Sequence, residues 1–137
     1  MSNFNLDTLA LSPTASLHLT HPVSGEYLYA DGDKQKKPVT VDLYGTSSKE
    51  YRQAILALQN RALAREKTKK KATAEQMKEE GVGLLVACSE KINNLDYNGA
   101  PVTTPEAFRS LYSDPKFSWL REQCDAFLGD NAGFLTA

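Results

Sequence analysis

The sequence predicts an α+β fold: a small N-terminal antiparallel β meander, followed by a mostly α-helical region of about four helices with one short β-hairpin. Before residue 45, apolar and polar side chains alternate in short segments, which is the period of a half-buried strand. After residue 46, apolar residues recur every three or four positions behind capping residues, and Asn98-Gly99 marks a tight hairpin turn. We therefore expect an N-terminal arm and β segment at 1–45 and a helical region at 46–137, joined in one domain.

Three short strands are expected in the first segment, after a loose arm that ends near Pro13. Residues 15–20 and 39–44 alternate apolar and polar side chains, and residues 26–30 are rich in tyrosine. Pro- and Gly-containing turn residues follow the first strand, and a polar stretch at 31–37 follows the second. Consecutive strands with tight connections favour an antiparallel meander.

A first helix is expected from about residue 48 to residue 67. Ser47 and Glu50 stand three apart, as in a capping box that satisfies two free backbone N–H groups. Apolar residues then follow at steps of four, three and four, which places them on one helical stripe: Tyr51, Ile55, Leu58 and Ala62.

A basic run closes this helix, with six Lys or Arg and one Glu between residues 61 and 71. A solvated helix end is the favoured interpretation, because cations suit the C-terminal end of a helix dipole. A phosphate-contacting patch is the alternative. It is disfavoured because no aromatic residues are interleaved and the whole chain is not basic.

A second helix is expected over 74–93, opened by a capping-box match between Thr73 and Gln76. Its apolar stripe consists of Met77, Leu84, Leu85, Cys88 and Ile92. Gly81 and Gly83 interrupt it, so they either break the helix or allow a neighbouring backbone to approach closely. We favour close packing because the stripe continues across them.

Two more helices are expected after a hairpin whose arms are residues 95–97 and 100–102. The third helix starts behind Thr104, with an apolar face formed by Phe108, Leu111 and Tyr112. Asp114-Pro115 ends it and starts the fourth, which carries a wide apolar face and ends near Gly129: Phe117, Leu120, Cys124, Phe127 and Leu128. Phe134 and Leu135 are assigned to a short tail.

Chemistry is sparsely represented, so we expect no enzyme, no cofactor and no metal site. Cys88 and Cys124 show no metal or redox spacing and are predicted to be core residues. His18 and His21 lie three apart in an extended segment, where their side chains point to opposite faces. The pair of aspartates around Gly32 lacks the further oxygen ligands of a calcium loop.

The composition, the length of the apolar runs and the first residues bear on where the protein is located. The chain has 137 residues, 41% of them hydrophobic, and a formal net charge of −1. No apolar run approaches the roughly 20 residues that a bilayer requires, so we expect no membrane partner. The first ten residues lack the basic start of a signal peptide, so the protein is expected to stay where it is made.

Ten short segments, taken in their order along the chain, resemble those of a known protein family. They are THPVSGE at 20–26, PVTV at 38–41, LYG at 43–45, SSKEYR at 47–52, NR at 60–61, NGAPVT at 98–103, PEA at 105–107, LY at 111–112, WLREQ at 119–123 and NAGFL at 131–135. Together, over about residues 17–135, the chain resembles the tail assembly chaperones of long-tailed bacteriophages and related prophages.

The resemblance implies a role in virion morphogenesis in the host bacterial cytoplasm. Such chaperones bind the tape measure protein, keep it soluble, help to recruit tail tube subunits and are absent from the finished tail. It also implies self-association into a homo-oligomer, and this chain would match the short form of a pair made by frameshifting. One alternative is a structural tail or head-completion protein retained in the virion; another is a nucleic-acid-binding regulator that uses the basic run.

A helical chaperone can cover apolar stripes of its client by a helix-in-groove mode. We expect the C-terminal helices to supply the partner-binding residues: Tyr112, Phe117, Trp119, Leu120, Phe127 and Leu128. Trp119 is the strongest candidate because it lies off the main stripe and aromatic anchors often dominate interfaces. The competing interpretation is that most of these side chains form the core.

Overall fold

A three-stranded antiparallel sheet and four helices make up the fold in the computed structural model, which describes residues 3–30 and 37–135. The sheet has the order β1-β2-β3, with β1 at Thr14–His18, β2 at Thr40–Tyr44 and β3 at Ser89–Asn93. The helices are α1 at Lys49–Lys67, α2 at Ala74–Cys88, α3 at Pro105–Ser113 and α4 at Ser118–Leu128. A hairpin of β4 (Asp96–Tyr97) and β5 (Ala100–Pro101) precedes α3. The predicted α+β class is confirmed. The two aspartates around Gly32, which were compared with a calcium loop, lie outside the described residues.

The third strand of the sheet is β3, and the prediction that residues 26–30 form a full strand was wrong. That segment is held by isolated bridges, Thr20 with Tyr27 and Tyr29 with Pro38. The central strand β2 instead pairs with β1 on one edge and β3 on the other, so that Val41 faces Leu17 and Ile92. The N-terminal meander is therefore completed by a strand from the middle of the chain.

The predicted second helix was too long, because α2 ends at Cys88 and not at residue 93. Ser89 has extended backbone angles, and its hydroxyl donates to the Leu85 carbonyl at 2.7 Å. Strand β3, which begins at Ser89, pairs with β2, which offers an open edge. Sheet pairing therefore overrides the helical spacing of Ile92.

Local capping explains where the helices begin. Ser48 caps α1 by accepting from the N–H of Tyr51 at 3.0 Å, so the predicted capping box of Ser47 with Glu50 was wrong and the cap lies one residue later. The predicted box at α2 is confirmed, since Thr73 and Gln76 each accept a hydrogen bond from the other's backbone N–H. Helix α2 runs through both glycines, and the close neighbour at Gly81 is the side chain of Arg121, not a backbone.

The predicted hairpin and the start of α3 are also confirmed. Asn98 and Gly99 have φ angles of 53° and 81°, the positive values that this two-residue turn requires. Thr104 caps α3 by accepting from the N–H of Ala107 at 3.1 Å. Asp114 accepts from the N–H of Lys116 and opens a short 3-10 turn that leads into α4.

One core joins the sheet to α2, α3 and α4. Its fully buried members come from both sides of residue 45, and they include Leu19, Val41, Leu43, Leu85, Leu111, Leu120 and Phe134. Cys88 and Cys124 are both buried, as predicted. Phe134 was wrongly assigned to a tail: it closes a 3-10 helix at Asn131–Phe134 and is 2% exposed. Within the described residues, no helix is both long and apolar enough to cross a membrane.

Candidate partner-binding site

Three of the six predicted partner-binding residues lie in the core. Tyr112 and Leu120 are each 2% exposed, and Leu128 is 7% exposed. The Tyr112 hydroxyl is bonded to the Ser89 hydroxyl at 2.7 Å inside the fold. The competing interpretation of these three residues as core is the one that the packing supports, because their apolar surface is already covered.

The other three predicted residues are half-buried and also pack on the core. The Phe117 ring meets the Tyr97 ring edge-on at 5.7 Å between centroids, and the Phe127 ring lies 5.2 Å from the Phe134 ring. Trp119, on α4, packs against the core as well. The core thus covers most of the apolar surface of the C-terminal helices, whereas the large exposed apolar side chains of the α-helices lie on α1 and α2.

Helix α1 is the least covered helix of the fold. None of its 19 residues, all within the described part of the chain, is buried, and its principal packing partner is α2. The predicted stripe turns toward α2 but is only partly covered: Tyr51, Ile55 and Leu58 are half-buried, and Ala62 is exposed. Helices α1 and α2 therefore form an arm, here called the α1–α2 hairpin (residues 49–88).

The α1–α2 hairpin exposes large apolar side chains. Leu56 and Leu63 are 58% and 56% exposed, and Met77 is 63% exposed. The two leucines are seven residues apart, so they share one face of α1, away from the stripe that meets α2. Sequence reasoning missed this face, although two leucines off the stripe at a spacing of seven were a readable signal.

A second exposed apolar group lies on the N-terminal arm. Phe4, Leu6 and Leu9 are 73%, 74% and 54% exposed around a 3-10 helix at Leu6–Leu9. The end of this arm is tied to the body, since Leu11 bridges to Leu135. These three residues resemble the hairpin leucines in size and exposure, which makes them a useful control set.

An open groove of about 530 Å³ runs along α2 between α1 and α3 and is here called the α2 groove. Near the body of the protein its lining is apolar, with Ala54, Ala57 and Leu58 from α1 and Gly83, Leu84 and Ala87 from α2. Toward the hairpin tip it becomes charged, with Arg61, Arg65, Glu79 and Glu80. Arg109 of α3 borders the opposite side.

An ion cluster organises the charged end of the α2 groove. Arg65 donates to both carboxylate oxygens of Glu80, with the Nη2–Oε2 distance at 3.4 Å. This hydrogen bonding lowers the pKa of Glu80. Arg61 lies farther away, with Nε 4.0 Å from Oε1 of the same carboxylate. One acid is therefore shared between two bases, and Arg61 is the weakly paired member.

Charge is distributed unevenly along the chain. Residues 49–88 contain nine basic and five acidic residues, a net charge of +4, whereas the rest contains seven and twelve, a net charge of −5. The basic run from Arg61 to Lys71 surrounds the hairpin tip. The hairpin thus combines exposed apolar side chains with a positive field.

Comparison with known proteins finds no matching family model, no matching curated protein and no matching solved structure.

Proposed function

We propose that this protein is a phage tail assembly chaperone, which binds the tape measure protein, keeps it soluble and helps to recruit tail tube subunits in the host bacterial cytoplasm. The resemblance of the sequence suggests the role, and the α1–α2 hairpin supplies a surface that suits it. The single observation that carries the proposal is the exposure of Leu56, Leu63 and Met77 on a hairpin whose first helix has no buried residue.

The physical reason is shared apolar surface. A long helical client that is not yet inside a tail tube exposes apolar stripes, and contiguous exposed apolar surface drives aggregation. Burying one Leu or Met side chain contributes about 1.5–3 kcal/mol. One hairpin therefore binds weakly, and many copies along one client gain from the raised effective concentration of their neighbours.

A role in binding and not in catalysis agrees with the state of the two thiols. Burial raises the pKa of Cys88 to about 11 and that of Cys124 to about 12. The thiolate is the nucleophilic form of cysteine, so both side chains are protonated and inert at neutral pH. We assign both thiols to the core and propose that the protein makes and breaks no covalent bond.

Co-expression with the tape measure protein tests the proposal. Wild-type protein is expected to raise the soluble fraction of the client. The triple variant Leu56→Gln/Leu63→Gln/Met77→Gln is expected to lose that effect. The matched control Phe4→Gln/Leu6→Gln/Leu9→Gln removes an equal number of exposed apolar side chains from the arm and is expected to retain it. A client that precipitates equally with and without wild-type protein would overturn the proposal.

Analysis of finished particles separates the chaperone from a structural protein retained in the virion. Mass spectrometry of purified virions is expected to detect the tape measure and tail tube proteins without this chain. Detection at a copy number matching a ring or tube component would favour the structural alternative instead.

A further inference from the structure

The α2 groove has an apolar floor that no described element covers along its open side. Ala57 of α1 and Ala87 of α2 are exposed in its lining, and Leu58 and Leu84 are half-buried. Helices pack with axes 8–10 Å apart when the side chains at the contact are small. A further helix laid along α2 would therefore find apolar contacts at the body end.

Arginines stand on both sides of the α2 groove. Arg61 lies on the α1 side, with 55% of its side chain exposed, and Arg109 lies on the α3 side. Among the described residues Arg109 has no ion-pair partner, and Arg61 has only the distant carboxylate that Arg65 already occupies. Arg65 is paired, and Glu79 is the remaining acid of the lining. The lining therefore carries three arginines against two glutamates.

We propose that the α2 groove binds an amphipathic helix whose apolar stripe is flanked on both sides by acidic residues. Arg61 and Arg109 are its specificity-determining residues. The inference rests on the proposed function, since it names the chemistry of the client segment. Guanidinium groups bind carboxylates through paired, charge-assisted hydrogen bonds, and two such groups on opposite sides of the groove match acids on both edges of an apolar stripe.

A nucleic acid is the less favoured occupant of the same groove. Its phosphates would meet Glu79 and Glu80 in the lining, and the bases of a duplex would leave the apolar floor without a partner. A helix whose apolar stripe is flanked by acids pairs with the arginines and also covers the apolar floor.

Two labelled peptides test the inference by fluorescence anisotropy with the full chain. Each is a helix of about five turns with a leucine stripe, flanked by Glu in one peptide and by Lys in the other. Wild-type protein is expected to bind the Glu peptide at least tenfold more tightly. In Arg61→Glu/Arg109→Glu that preference is expected to reverse, whereas Arg52→Glu/Lys116→Glu, with the same change in net charge outside the groove, is expected to keep it.

A second pair of variants tests the floor. Ala57→Glu adds bulk and charge to the groove, and it is expected to weaken the Glu peptide at least tenfold. Ala64→Glu makes the same change at an exposed α1 position outside the groove, and it is expected to leave binding unchanged. Both positions are exposed and helical, so circular dichroism is expected to show folded protein for each.

The outcomes separate this inference from the proposed function. Equal affinity for the two peptides, a preference that survives Arg61→Glu/Arg109→Glu, or tighter binding of a labelled DNA duplex than of the Glu peptide would each overturn the inference. Solubilisation of the tape measure protein in co-expression would still stand in those cases. Retained peptide preference together with an insoluble client would count against the proposed function alone.

Discussion

Phe134 ties the C-terminal end of the chain to the start of α1. An added Cβ at Gly45 would lie 2.6 Å from two carbons of the Phe134 ring, so the ring occupies space that only glycine leaves free. The Phe134 carbonyl also accepts from the N–H of Ser12, beside β1. Through its ring and its backbone carbonyl, Phe134 thus links three separate parts of the chain.

Phe134→Ala is expected to lower the free energy of unfolding by about 3–5 kcal/mol, because it removes a buried ring and leaves a cavity. Leu135→Ala, at a neighbouring residue that is 42% exposed, is expected to cost less than about 1 kcal/mol. Urea denaturation of both variants checks the difference. Similar small losses would show that the turn at Asn131–Phe134 does not anchor the core.

The buried thiols are expected to make the free energy of unfolding fall at alkaline pH. Burial raises the pKa of Cys88 to about 11 and that of Cys124 to about 12, from an ordinary value of 9.0, and it also raises the pKa of Tyr112. Because the unfolded chain releases these protons first, the stability they contribute is fully present below pH 9.0 and is lost as pH rises through the folded pKa values.

Urea midpoints at pH 8 and at about pH 10.5 measure this loss. The wild-type midpoint is expected to fall between the two conditions. The variant Cys88→Ala/Cys124→Ala is expected to be less stable than wild type at pH 8. Its urea midpoint is expected to fall less between the two pH values, because two of the groups with a raised pKa are absent. An identical loss in both proteins would assign the alkaline effect to other groups.

Helix α1 and the N-terminal turns of α2 contain no buried side chain, so they depend on contacts with each other and on local capping. Buried side chains enter α2 only from Val82 onward, and the N-terminal turns of α2 are exposed. A segment with few buried contacts opens at lower free-energy cost than a core strand does. Such lability would suit the proposed binding of a helical client.

Amide hydrogen exchange is expected to be faster in α1 than in β2, whose Val41 and Leu43 are fully buried. Uniform protection across α1 and β2 would show that the hairpin opens only with the whole fold.

Thr73→Ala removes the side chain that accepts from the N–H of Gln76, and it is expected to destabilise the N-terminal end of α2 by about 1 kcal/mol. Amide exchange in α2 is then expected to accelerate while that in β2 is unchanged.

The sheet joins the two segments that the sequence separates at residue 45. Strand β3 comes from the 46–137 segment, yet its neighbour is β2 from the 1–45 segment. The core likewise draws Leu19, Val41 and Leu43 from the first segment and Leu85, Leu111 and Leu120 from the second. Neither segment holds the complete three-stranded sheet or the complete core.

A fragment of residues 46–137 is therefore expected not to fold cooperatively, since β3 would lose its partner strand and the helices would lose one side of the core. The full chain is expected to show a single thermal transition by circular dichroism. A cooperative transition and dispersed amide signals from the fragment would establish the helical region as an independent domain.

Features encoded within a few residues could be read directly from the sequence. The starts of α2 and α3 and the Asn98-Gly99 turn were predicted correctly, because a cap or turn residue and the groups it satisfies lie within three positions. The fold class followed from apolar periodicity for the same reason. The basic run at residues 61–71, at the end of α1, could likewise be counted in the sequence.

Features whose partners are distant in the chain required the packed fold. The third strand depends on the open edge of β2, and the burial of Phe134 depends on Gly45. Periodicity shows that a helix has an apolar face but not what covers that face. The predicted site on the C-terminal helices and the exposed leucines of α1 look alike in sequence. They differ because the core already covers the first, while α2 leaves the second exposed to solvent.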